Sequence, residues 1–145
     1  MLSQPNLIGR YPFRAVFVPF PYVAFTFAFF ADILYWQTSN LMWQNFSAWL
    51  LFAGLVFGAL AILAGLADFL RENSQHYRSS WAEASGYIVV LVLGFFNSLV
   101  HAGDGWTAIV PTGITLSGIT VLAILITLWL SANHPFFQKG RIPND

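Results

Sequence analysis

WQNFSAWLLFAGLVFGALAILAGLADFL, the stretch from Trp43 to Leu70, carries one charged residue, Asp68, and that residue stands near its end. About 20 apolar residues cross a ~30 Å hydrocarbon core as an α-helix, and this run exceeds that length. Hydrocarbon offers no partner for free backbone N–H and C=O groups, so a run of this kind is read as a helix. Alternating strand periodicity is absent from it. Three further apolar segments flank it, Ala15–Trp36, Ala84–Val100 and Thr107–Ala132. The third span of the chain, Ala84–Val100, is the shortest and crosses only with its flanking turns, as 82–101. The fold class expected is an all-α bundle of four transmembrane helices in one membrane domain, antiparallel and up-down-up-down.

Composition agrees with that reading. Of 145 residues, 57% are hydrophobic and 8% charged, against about 25% charged in an average soluble domain. Basic and acidic residues balance at six each, which points to no nucleic acid or acidic partner. Without Cys, disulfides, thiolate metal sites and Cys nucleophiles are excluded. The expected surroundings are the lipid bilayer, with a membrane-protein partner or a second copy of the chain as the kind of neighbour such a bundle meets.

The connections carry polar and breaker residues: Gln37–Met42, Arg71–Ser80, and the Ala102-Gly103-Asp104-Gly105 turn. Val18-Pro19-Phe20-Pro21 should break or kink the entry of the first span. Pro111 falls in the first turn of the fourth, where a missing N–H costs little, and His134-Pro135 ends it. The first apolar run is longer than a signal-peptide core and lacks a small-x-small cleavage site, so it is read as a retained span.

Orientation follows from the basic residues. Four spans put Arg10, Arg14, Arg71, Arg78, Lys139 and Arg141 on one side and no Lys or Arg on the other. Basic residues mark the cytoplasmic side, so both termini are expected in the cytoplasm of a bacterial inner membrane. Tyr35, Trp36, Trp43 and Trp106 read as outer interface anchors, and Tyr11, Tyr77, Trp81 and Trp129 as inner ones.

Each span shows a small or polar stripe. Gly54, Gly58, Ala61, Gly65 and Asp68 recur at steps of four and three in the second span, which is one helical face. Glu83, Gly86, Val90, Gly94, Asn97 and His101 do so in the third. Gly113, Ser117, Thr120, Thr127 and Ser131 follow in the fourth, and Ala24, Ala28 and Asp32 in the first. Small residues let helices approach closely in lipid. The stripes should therefore meet, with Phe, Leu and Ile turned to acyl chains.

Asp32 is the most informative residue. An ionised carboxylate within a span costs several kcal/mol unless paired or hydrated. His101 closes the third span on the same side, and Asn97 lies one turn deeper. Asp32 is expected to meet both across the interface of the first and third spans, either as a proton or cation site near the outer mouth or as an interhelical clasp. The clasp is favoured, because no other acid continues a relay inward. A cytoplasmic rim should gather Arg14, Asp68, Arg71 and Glu83, with Asp68 paired to Arg14 or Arg71. No histidine stands mid-span, which argues against bis-His haem. No nucleophile elbow, phosphate loop or metal-ligand spacing is present. No catalytic residue, cofactor or metal is expected.

The chain resembles a bacterial family of small four-helix membrane proteins, domain of unknown function 2231, over roughly residues 12 to 135. The residues that carry the resemblance are Phe20-Pro21, Phe30-Ala31-Asp32-Ile33-Leu34, Trp49-Leu50-Leu51-Phe52-Ala53-Gly54-Leu55, Gly65-Leu66-Ala67-Asp68-Phe69-Leu70, and Asn97 with His101 four positions on. The resemblance implies a membrane bundle with no established reaction. Where relatives tend to carry histidines, this chain has Arg14-Ala15, Pro19 and Glu83. The function expected is that of a non-enzymatic accessory or structural subunit of a membrane complex. The alternatives are a small transporter or proton-coupled permease component using Asp32, and a haem- or quinone-linked redox subunit.

Overall fold

In a computed structural model of the chain, residues 12–70, 81–103 and 109–133 are described. They form α1 (Arg14–Phe17), α2 (Pro19–Thr38), α3 (Leu41–Leu70), α4 (Trp81–Ala102), a π-helical turn at Ile109–Gly113, and α5 (Ile114–Ala132). Among the described residues, four helical segments are long and apolar enough to cross a membrane: Arg14–Thr38, Leu41–Leu70, Trp81–Ala102 and Ile109–Ala132. The protein is all-helical in its described residues.

The proline run interrupts the first span without redirecting it. Val18, between α1 and α2, keeps right-handed helical angles (φ −55°, ψ −39°). Pro19 and Pro21 lack the N–H groups that would reach the carbonyls of Ala15 and Phe17. Only the hydrogen-bond ladder is broken.

The first connection is shorter than the polar residues suggest. Gln37 and Thr38 remain helical, and only Ser39 and Asn40 link α2 to α3. Ser39 takes a left-handed conformation (φ 52°), and the Asn40 side chain accepts the backbone N–H of Met42 at 3.0 Å. Thr38 donates its hydroxyl to the Leu34 carbonyl at 2.6 Å, which lets a polar residue finish the helix. The fourth span begins with a cis Val110-Pro111 bond. The expected Arg71–Ser80 connection, His134-Pro135, Tyr11, Tyr77 and Trp106 lie outside the described residues.

Packing is closest between α2 and α3, α3 and α4, α4 and α5, and α5 and α2. The four long helices thus close a ring, and α2 and α4 face each other across its axis rather than along a shared interface. Asp32 and His101, expected to meet across the interface of the first and third spans, approach each other through the core between these two facing helices.

The middle of that core is apolar. Phe25, Ala28, Leu51, Val90 and Ile124 form one buried cluster. Phe25 is the largest of the fully buried side chains. Its ring lies against the backbone of both Gly54 and Gly94, and a Cβ at either glycine would overlap it. Gly58 receives Leu91, Gly86 receives Thr127, and Gly65 faces the stem of Arg14. Gly113 is buried where the π-helical turn passes into α5. The core therefore contains large apolar side chains that were expected to face lipid; glycines make holes, and holes are filled by knobs. Elsewhere the surface is apolar, with Phe20, Phe27, Phe30, Phe52, Leu63 and Leu125 all exposed. Trp81 (92% exposed) and Trp129 (66%) stand free, whereas Tyr35 (6%) is buried and is no interface anchor.

Candidate functional site

Five polar side chains meet at one end of the ring. Asp32 stands six residues before the end of α2, His101 one residue before the end of α4, and Ser47 and Ser117 in the opening turns of α3 and α5. Each lies on the inward face of its helix, and all four are buried. Asn97, buried one turn before His101, completes the group.

His101 Nε2 lies 2.8 Å from Asp32 Oδ1, and both side chains are wholly shielded. Ser47 donates to the same oxygen at 2.6 Å and lies 3.2 Å from Nε2. Ser117 donates to Asp32 Oδ2 at 2.5 Å. Asn97 Nδ2 donates to Ser117 Oγ at 2.7 Å, so Asn97 reaches Asp32 through a hydroxyl and not directly as expected. The other imidazole nitrogen, Nδ1, lies 3.0 Å from the Asn97 carbonyl. That carbonyl only accepts, so Nδ1 carries a hydrogen. The carboxylate is thus held by groups from the other three long helices. A bare carboxylate in this setting would be costly; hydrogen bonds to both oxygens offset that cost.

Ser47 is the residue missed from sequence, although the signal was present. The second-span stripe continues backwards from Gly54 through Leu51 to Ser47 at the same steps of three and four. Ser117 was placed on its stripe but not joined to Asp32.

Ser, His and Asp meet here without the geometry of a catalytic triad. In a triad the carboxylate holds Nδ1 and the serine hydroxyl faces Nε2. Here Ser47 and Asp32 both face Nε2, and Ser47 gives its proton to Asp32. Among the described residues, no group of three His, Cys, Asp or Glu side chains could hold a metal ion.

The opposite end has a second polar group. The Arg14 backbone N–H, at the start of the first span, donates to Asp68 Oδ2 at 3.0 Å. The first N–H groups of a helix lack partners within it, and Asp68 supplies an acceptor from α3. The Arg14 guanidinium binds Glu83 at 3.2 Å, in the first turn of α4. Asp68 thus takes the Arg14 main chain while the side chain goes to Glu83. Arg14 and Glu83 keep 24% and 33% of their side chains exposed. Arg71, expected in this group, lies outside the described residues. Tyr22 and Tyr87 pack edge to face, ring centroids 5.7 Å apart, between this group and the Phe25 layer.

No curated protein and no solved structure matches the chain. The model of a family described as predicted membrane protein, DUF2231, matches residues 10–136. With a bundle of four membrane-length helices, acids at its two ends and a family match over most of its length, the chain belongs to the DUF2231 family of predicted membrane proteins.

Proposed function

We propose that the chain is a non-enzymatic accessory or structural subunit of a complex in the bacterial inner membrane. The observation that carries this reading is the saturation of Asp32. Both carboxylate oxygens accept hydrogen bonds from side chains of other helices, so its charge is spent on joining helices. The apolar layer of Phe25, Leu51, Val90 and Ile124 divides the two polar ends and favours a scaffold over a conducting path. The apolar exposed faces suit lipid and a protein neighbour.

The up-down course of the helices is supported by which ends meet. The tail of α2 meets the head of α3, the tail of α4 and the head of α5. The head of the first span meets the tail of α3 and the head of α4. Arg14 stands at the second of these ends, and the positive-inside rule assigns that end to the cytoplasm.

Affinity purification of the tagged full chain in a mild detergent tests the proposal. A partner recovered in fixed ratio is expected. A chain that behaves as a lone monomer, together with an ion or solute flux in vesicles that Asp32→Asn abolishes, would replace the scaffold reading with a transporter.

A further inference from the structure

The Asp32 group has a hydrogen count that its role as a clasp leaves unused. Asn97 Nδ2 can only donate, so Ser117 Oγ accepts from it and passes its own hydrogen to Asp32 Oδ2. Ser47 gives its hydrogen to Asp32 Oδ1. His101 Nδ1 carries a hydrogen toward the Asn97 carbonyl. Two contacts of Nε2 remain, to Asp32 Oδ1 at 2.8 Å and to Ser47 Oγ at 3.2 Å. With the Ser47 hydrogen given to Asp32, the open question is the number of protons in the shorter contact, which its surroundings decide. With none, a nitrogen lone pair faces a carboxylate and the core buries a net negative charge. With two, N–H faces O–H and the core buries a net positive charge. With one, the contact is a charge-assisted hydrogen bond and the group is neutral overall.

We propose that Asp32 and His101 form a proton-responsive latch, closed by one shared proton and opened by its loss or by the gain of a second. This rests on the reading of the group as the clasp that joins the helices at this end. Closed, the latch ties α2 to α4 across the axis of the ring, where the two backbones do not pack side by side. The shared proton exchanges with one side of the membrane only. His101 is followed by exposed Ala102 and Gly103, while the Phe25 layer closes the opposite direction.

The groups facing the pair do not titrate in its place. α3 presents Ser47 and α5 presents Ser117, both hydroxyls; α4 adds the Asn97 amide. On α2 the nearest buried ionisable side chain is the phenol of Tyr35, one turn beyond Asp32. Asp104 lies outside the described residues. The latch therefore contributes stability that is greatest while one proton is held. It is lost on both flanks, as the shared proton leaves on raising the pH and as a second arrives on lowering it.

The test is the unfolding equilibrium of the purified full chain in detergent micelles from about pH 2 to about pH 9, a range that spans the ordinary titration of carboxyl and imidazole groups. It is compared with the Asp32→Asn/His101→Gln double variant. The wild-type advantage should pass through a maximum and fall on each flank, approaching tenfold in the folding equilibrium per pH unit for one proton. An advantage that is constant with pH overturns the latch and leaves the clasp standing. No advantage at any pH overturns both. Nitrogen-15 histidine spectra of a His76→Asn/His134→Asn chain, in which His101 is the sole histidine, do not depend on the double variant folding. A proton on Nδ1 throughout, with the Nε2 signal showing a shared proton only in the middle of the range, is expected. An Nε2 signal unchanged across the range overturns the proposal.

Discussion

The two polar ends of the bundle hold helices together by opposite means. At the Asp32 end the acid is wholly shielded and its partners come from the three other long helices. At the Arg14 end the ion pair is part-exposed and draws on the heads of the first and third spans, with Asp68 of α3 beside it. Water reaches the second pair and screens it, so its strength is that of a surface salt bridge, about 0–1 kcal/mol. The first pair has no such screening. Removing one member there leaves a buried charge without its partner, which costs several times more than the intact pair contributes. The difference teaches that one residue chemistry, a carboxylate with a base, is a rim ornament or a keystone according to how many helices surround it.

His101→Ala should break the comparison most severely. It strips the base from Asp32 and is expected to cost about 3–5 kcal/mol, read from unfolding in mixed micelles. A loss no larger than that of Glu83→Gln would mean that the two ends are equivalent. Gly94→Leu addresses the layer between them. The Phe25 ring is boxed by Gly54 and Gly94 and has no room to retreat, so overpacking should cost about 1–3 kcal/mol. Gly118→Leu, where an added Cβ would find Phe29 no nearer than 3.5 Å, should be milder under the same assay.

Ser117→Ala sharpens the picture of the buried end. It removes the hydroxyl that links Asn97 to Asp32 Oδ2. Interhelical hydrogen bonds in membrane bundles average about 0.6 kcal/mol and reach about 1.7; a value near the upper figure is expected because the lost donor serves a carboxylate. Glu83→Gln should have the smallest effect, under about 1 kcal/mol. That small loss should shrink further as salt rises, whereas the loss in His101→Ala should be independent of salt. A salt-dependent His101→Ala would show that water reaches the Asp32 end.

Much of this arrangement was legible in the residues themselves. The four spans follow from the apolar runs, and the inward faces of Gly54, Gly58, Gly94 and Asn97 follow from helical spacing. α2 runs to Thr38 and α3 opens at Leu41, each two residues into the connection expected between Trp36 and Trp43. Thr38 satisfies its hydroxyl on its own helix and so continues a helix that its polarity seems to end. Ser47 went unread for a related reason. A serine in an apolar helix has no distinguishing pattern until a charged group is brought to it.

Sequence by itself determined that the chain lies in lipid as four helices, because long runs without charge have no stable place in water and hydrocarbon admits only a fully hydrogen-bonded backbone. It also determined which face of each helix turns inward, since small residues at steps of three and four share a side. Only the tertiary structure decided that the first and third spans face each other across the ring, and that Asp32, Ser47, His101 and Ser117 converge. It also decided that Phe25 fills the gap between two glycines. These facts depend on how helices are arranged around an axis. Residues 15 to 85 positions apart become neighbours through packing, for which periodicity along one helix carries no information.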